Sequence, residues 1–284
     1  MRCVMRCGAV FVVTAALAIA APARAQTPAP AVRPVVIQGA MQIEVEALVG
    51  RLDRATVETV GAWTFWRGTI DGYPVIVSKT LKGMSNAAAA TVIAVERYHP
   101  LAIINQGTAG GHDAALHNYD IVLGTTSVNL GAFKSPTRPA GAGSSTLDWS
   151  PIDLTAADGS AASSATPRHL ATFAGDATLL AAARRAKPTY TKGRIVEGVI
   201  GSSDVWNDEV DRILRLHEAY GTEAEEMETA SAAQIAAQLG VPLLGIRILS
   251  DNALNGGAYD PKTSDACLDY VYQVVKAYIA TLKR

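Results

Sequence analysis

Residues 226–251 read Glu-Met-Glu-Thr-Ala-Ser-Ala-Ala-Gln-Ile-Ala-Ala-Gln-Leu-Gly-Val-Pro-Leu-Leu-Gly-Ile-Arg-Ile-Leu-Ser-Asp, and how this stretch divides decides the fold. Ala230, Ala232, Ala233, Ala236 and Ala237 give residues 229–239 a strong helix propensity and let neighbours pack closely. Gly240 stands where a helix end favours a left-handed residue, and Pro242 blocks continuation. Leu243 to Leu249 is apolar apart from Arg247 and does not alternate, as in a strand buried on both faces. Glu226 and Glu228 then mark the start of the helix, and Asp251 lies just past the strand. Ligands of open α/β sheets sit outside the carboxyl ends of strands. Taken alone, each acid has an ordinary role, as a helix cap or a turn residue. Arg247 adds a constraint: a guanidinium inside a buried strand needs a carboxylate, from Asp251 or a glutamate.

Outward from this stretch, strands and helices alternate. Pro34 to Gly39 is a short apolar strand, and Val45, Leu48 and Val49 give a helical stripe with Glu44 near its first turn. Residues 62–78 read as a hairpin turning at Asp71-Gly72. An alanine-rich helix runs to about Tyr98, and Leu101 to Asn105 is a buried strand. Gly107-Thr108-Ala109-Gly110-Gly111 follows as a glycine-rich turn whose backbone can approach a ligand. It matches neither a Walker loop nor the dinucleotide fingerprint. Asp120 to Gly124 begins another strand, and residues 134–168, rich in Ser, Thr, Pro, Ala and Gly, read as a surface insertion. A helix over 177–186 and a strand over 195–200 follow. Val210, Ile213, Leu214 and His217 trace one helix face, and Tyr270 to Leu282 forms an amphipathic closing helix. This order implies a three-layer αβα sandwich around a central mixed sheet.

A chain of 284 residues, 49% of them hydrophobic, can bury the core of one large α/β domain. Arg2 and Arg6, the apolar run Ala9–Ala20 and Ala23-Arg24-Ala25 have the pattern of a secretory signal peptide over residues 1–25. A Pro/Ala-rich linker over 26–33 leads to a domain over 34–284. Loss of the signal takes Lys plus Arg from 25 to 22 against 26 acidic residues, a net charge of −4 that disfavours a nucleic-acid backbone as partner. It also removes Cys3 and Cys7, which leaves Cys267 alone, with no intramolecular disulfide. No later segment has the length of a membrane span. His99, His112, His117, His169 and His217 lack zinc-ligand spacing, and no Gly-x-Ser-x-Gly elbow occurs, so neither a metal site nor a serine hydrolase is indicated.

Four separated segments resemble the nucleoside phosphorylase/nucleosidase superfamily, most closely the 5′-methylthioadenosine/S-adenosylhomocysteine nucleosidases. They are Gly39–Val45, Ile103–Gly111, Ser203–Trp206, and Glu226-Met227-Glu228 together with Arg247–Asp251. The resemblance implies a nucleoside phosphorylase-like fold and hydrolysis of an adenosine-type nucleoside, without a cofactor or a metal. It implies that Glu44 activates the attacking water and Asp251 protonates the purine at N7. Glu228 binds the ribose hydroxyls beside Met227, Trp206 lies against the purine, and Thr108 stands near the water. Glu226 and Arg247 support these groups from behind. It further implies a homodimer whose purine site is completed by a neighbour's loop. Cleavage through an oxocarbenium-like state needs a base with water on one face and an acid on the leaving group, which two carboxyl groups supply. The family's glycine-rich turn has become Leu81-Lys82-Gly83-Met84-Ser85, which leaves the 5′-substituent open. No arginine-bearing phosphate loop lies near residue 39, which favours water over phosphate as nucleophile. The alternatives are a purine or uridine nucleoside phosphorylase and a non-catalytic nucleoside-binding or storage protein of the same fold.

Burial at a strand end is expected to raise the pKa of Asp251, and a nearby Arg247 to lower it again. The leader pattern predicts a periplasmic or secreted protein whose N-terminus lies near Gln26. N-terminal sequencing of the protein recovered from its native host tests this, and a retained Met1 refutes it.

Overall fold

The computed structural model describes residues 32–152, 154 and 169–283. The leader read at 1–25 and most of the linker lie outside the described residues, as does most of 153–168. The elements in chain order are β1 (Val35–Gly39), α1 (Glu46–Val49), β2 (Asp53–Val60), β3 (Trp63–Ile70), β4 (Tyr73–Lys79), α2 (Met84–Tyr98), β5 (Ala102–Gly111), β6 (Ile121–Asn129), β7 (Phe133–Lys134), β8 (Ser150–Pro151), β9 (Thr172–Ala174), α3 (Ala177–Ala186), β10 (Ile195–Ser202), α4 (Val210–Tyr220), β11 (Thr222–Glu226), α5 (Thr229–Gln238), β12 (Leu243–Asp251) and α6 (Thr263–Leu282).

The central sheet is mixed, in the order β11-β10-β6-β12-β5-β1-β4-β3-β2. β5 runs parallel to β1 and β12, whereas β12 meets β6 antiparallel. β11 pairs with β10 on one side and reaches β5 on the other, so β5, β12, β6, β10 and β11 close on themselves. Alternation along β12 sorts the two faces. Leu244, Ile246 and Ile248 pack with Leu179 of α3 and with Val271 and Val274 of α6, while Leu243 packs with Ala94 of α2 and Ala232 and Ala236 of α5. Helices thus cover both faces of the sheet, the three-layer arrangement expected from the alternating elements.

Two alanine-rich helices lie on the α2/α5 face, and small side chains let α5 come close to the sheet. A Cβ at Gly245 would stand 2.6 Å from Cγ2 of Thr229, the first residue of α5. That close approach sets the start of α5 against the middle of β12.

Three sequence expectations differ from the structure, and one strand, β2, was not among the expectations. The glycine-rich segment 107–111 is no turn but the second half of β5. Here missing side chains permit close approach rather than reversal: a Cβ at Gly107 would lie 2.7 Å from the Glu44 carboxylate, and one at Gly111 2.4 Å from Asn252 Nδ2. Glu226 ends a strand, β11, rather than opening a helix, and Glu228 is the residue before α5. On α4 the buried face is Arg212, Ile213 and Leu216, whereas Val210 and Leu214 are exposed. Finally, β2 is a largely exposed edge strand without the apolar alternation that would mark it in the sequence. Among the described residues no helix is long and apolar enough to cross a membrane.

Candidate functional site

The carboxyl ends of β1, β5 and β12 and the segment from β11 into α5 surround a cavity of about 450 Å³. That volume suits a ligand of nucleoside size. All six residues singled out as catalytic or substrate-binding line it: Glu44, Thr108, Trp206, Met227, Glu228 and Asp251. Glu226 lines it as well, and Arg247 lies behind it, fully buried.

Glu44 sits in the single 3-10 turn Gln42–Glu44 that follows β1, with 3% of its surface exposed. Its Oε2 accepts from the backbone N–H groups of Ala40 at 2.9 Å and Met41 at 3.1 Å. Oε1 accepts from the Thr108 N–H at 2.9 Å and the Thr108 hydroxyl at 3.0 Å. Every partner donates, so both carboxyl oxygens are fixed in direction. Thr108 owes its position to β5 continuing past Asn105, and glycine at 107 leaves room for the Glu44 head group.

Asp251 ends β12 and is half-buried. Burial raises its pKa above the usual aspartate value, the Ser250 hydroxyl donating at 2.7 Å lowers it, and the Asp208 charge adds to the rise; the net shift is upward. The expected Arg247 contribution is absent, because Arg247 is engaged elsewhere. Its guanidinium bonds Glu226 Oε2 through Nε at 2.9 Å and through Nη2, and reaches Asn105 Oδ1 at 2.5 Å and the Ile246 carbonyl at 3.0 Å. The carboxylate that Arg247 requires is therefore a glutamate and not Asp251.

Glu226 also accepts from the N–H groups of Glu228 and Thr229, each at 3.0 Å, and from the Ser202 hydroxyl. It thus caps α5 and neutralises the buried arginine together. Glu228 has less support. Its Oε1 accepts from the Gly83 N–H at 2.9 Å, and its Oε2 lies 3.7 Å from Arg247 Nη2. Gly83 has φ +99°, open to glycine at little cost, and it presents this N–H at the start of α2. Burial first, then the Glu226 charge, push Glu228 up to about 8 against the opposing pull of Arg247.

Trp206 is 64% exposed and meets Tyr259 edge-on at 5.6 Å, so it is no core residue. Six polar side chains on the cavity wall were not among the sequence candidates: Lys82, His112, Asn207, Glu225, Ser250 and Tyr259. His112 directly follows the glycines, and Glu225 precedes Glu226, but nothing in the spacing of these two joins them. Lys82 is the one Lys or Arg on the cavity wall among the described residues.

The model of the phosphorylase superfamily matches residues 34–280. The 5′-methylthioadenosine/S-adenosylhomocysteine nucleosidase of Bacillus cereus strain G9842 is 30% identical over 229 residues, covering 77% of this chain and 86% of that protein. The solved 5′-methylthioadenosine/S-adenosylhomocysteine nucleosidase of Neisseria meningitidis, in complex with methylthio-immucillin-A, superposes with a TM-score of 0.68 at 25% identity. The match covers 86% of this chain and 99% of that one. Futalosine hydrolase of Helicobacter pylori shares the fold, with a TM-score of 0.67 at 21% identity over 86% of this chain and 98% of its own.

The raised pKa of Glu228 has a consequence for stability. The folded protein keeps this proton where the unfolded chain, near the ordinary glutamate value of 4.5, has lost it. Its contribution is therefore complete below about pH 4.5 and is lost as pH rises towards 8. Glu228→Gln cannot titrate. Thermal melts between pH 5 and 8.5 should show the variant gaining on the wild type as pH rises. A difference in melting temperature that is constant across this range refutes the assignment.

Proposed function

The chain belongs to the phosphorylase superfamily, in the branch of the 5′-methylthioadenosine/S-adenosylhomocysteine nucleosidases, and on that footing we propose that it hydrolyses the N-glycosidic bond of adenosine-type nucleosides such as 5′-methylthioadenosine or S-adenosylhomocysteine. The observation that carries this reading is a pair of carboxyl groups of opposite character on one cavity. Glu44 accepts four hydrogen bonds, while Asp251 has one hydroxyl donor and a pKa raised by burial. A carboxyl group surrounded by donors suits the base, and one whose pKa is raised suits the acid.

In the proposed reaction Glu44 takes a proton from water as its oxygen bonds to C1′ of the sugar. Asp251 delivers a proton to N7 as the C1′–N9 bond breaks, and the electron pair leaves with the base. The products are the free purine and the sugar with a hydroxyl at C1′. The Thr108 hydroxyl, able to turn away from Glu44, makes room for the water at that carboxylate. Glu228 takes the ribose hydroxyls beside Met227, and Trp206 covers the base. Lys82 is the one fixed cation on the cavity wall among the described residues, which gives an inorganic phosphate dianion little to bind and supports water as the nucleophile.

The domain over 34–284, export behind the leader over 1–25 and a periplasmic or secreted location belong to the same proposal, supported by the leader pattern. So does a homodimer, supported by the family resemblance and by Val205, Trp206, Val210 and Leu214, which are 44–64% exposed within one short stretch whose first two residues line the cavity. Light scattering at micromolar concentration should give twice the chain mass, and a monomer speaks against the dimer.

The mature protein should release free base from 5′-methylthioadenosine at the same rate with and without phosphate. Asp251→Asn keeps the shape and removes the acid, and it should slow turnover by roughly 10²–10⁴-fold with little change in melting temperature. Glu44→Gln should abolish turnover. A pentose 1-phosphate product would make the protein a phosphorylase, and an Asp251→Asn variant near the wild-type rate would refute the mechanism.

A further inference from the structure

The proposed chemistry uses the carboxyl groups of the cavity and leaves its lysine without a task. Lys82 lines the cavity and is exposed. Its ammonium makes no hydrogen bond or ion pair among the described residues. It stands two residues before Met84, the first residue of α2. The N-terminus of a helix is its positive end, where an anion is favoured and a lysine is not. No acidic residue occupies the first turn of α2, and Asp204 accepts from the Met84 N–H at 2.7 Å without pairing with Lys82. Lys82 therefore adds nothing to the helix that follows it, and its position suits an anion arriving from outside the chain.

The backbone holds this lysine in place. Before it, the Thr80 N–H donates to the Gly39 carbonyl at 2.9 Å; after it, the Gly83 N–H donates to Glu228 at 2.9 Å. Between these anchors Leu81 has φ +64°, a left-handed conformation uncommon for a leucine, which the anchors impose. Sheet order fixes where in the cavity Lys82 stands. β12, β5, β1 and β4 are parallel neighbours in that order, with their carboxyl ends on one edge. Asp251 ends β12, Glu44 follows β1 and Lys82 follows β4. Strand spacings on the order of 14 Å in total separate β12 from β4, with Glu44 between the two ends. A nucleoside with its base at Asp251, C1′ facing Glu44 and its hydroxyls at Glu228 directs its 5′-carbon, at the opposite side of the sugar from the base, towards Lys82.

We propose that Lys82 selects the 5′-substituent, its ammonium pairing with a carboxylate at the end of a 5′-thioether chain. The preferred substrate class is then an adenosine thioether with an acidic tail, as in S-adenosylhomocysteine, ahead of one with a plain alkyl tail. The proposal rests on the nucleosidase reading for the seats of base and sugar; the choice of tail is additional to it. Because the ammonium stays open to water, the pair is worth a modest factor, roughly three- to fivefold, and salt screens it.

Two adenosine 5′-thioethers of similar length test this, one with a 3-carboxypropyl tail and one with a butyl tail. The readout is the ratio of their kcat/KM values, acid over butyl, at low salt. The wild type should favour the acid. Lys82→Ala should lower the ratio roughly three- to fivefold, through KM rather than kcat, and Lys82→Glu should lower it further. In about 0.5 M sodium chloride the three proteins should converge. A wild-type preference for the butyl tail, or one ratio shared by all three proteins, overturns the proposal and leaves the nucleosidase reading standing. Should neither thioether be hydrolysed, that reading falls, and calorimetric titration with the same pair decides this one on affinity. Tighter binding of the acid that Lys82→Ala abolishes then supports it, whereas equal affinities or no binding of either compound overturns it.

Discussion

A guanidinium 1% exposed in the middle of a β-sheet has to be neutralised where it stands, and the ion pair of Arg247 with Glu226 does this. The pair joins β12 to the end of β11, and through Asn105 it also holds β5. The same carboxylate caps α5, so four elements meet at one charge pair. Removing one partner of such a pair commonly costs about 3–5 kcal/mol, because the other charge is left buried and alone. The cavity is built on the ends of these elements, and its geometry rests on this pair being intact.

From that pair follows the state of the neighbouring acids. One guanidinium cannot fully stabilise two adjacent carboxylates in a dry environment, and Glu226 takes the direct contact. Glu228, at 3.7 Å, keeps its proton well above the ordinary range. Glu44 is fixed instead by backbone N–H groups and a threonine, Glu225 by a histidine, and Asp251 has only a serine hydroxyl against the effect of burial. One cavity thus holds acids of the same chemistry in different protonation states, set by how many donors the fold delivers to each.

The comparison of sequence with structure turns on particular segments. The division of 226–251 into helix, break and buried strand was legible, because alanine content, Gly240-Val241-Pro242 and an unalternating apolar run are local signals. So were β1, the β3–β4 hairpin, α3 and α6. β11 was not: Thr222-Glu223-Ala224-Glu225-Glu226 reads as a solvated surface until β10, His112, Ser203 and Arg247 surround it. The glycines of 107–111 signal either a turn or close approach, and only the neighbours Glu44 and Asn252 decide for approach.

By itself the sequence determined the alternating α/β order, the leader pattern and, through resemblance, the residues Glu44, Thr108, Trp206, Met227, Glu228 and Asp251, which the fold gathers on one cavity. Those signals are short-range or lie in short motifs that can be read one segment at a time. The tertiary structure alone decided which glutamate answers Arg247, which acid is kept protonated, and that His112 and Glu225, 113 residues apart, form a buried pair beside Gly110. Each of these depends on which donors and charges come within a few ångströms after folding, and sequence spacing carries no information about that distance.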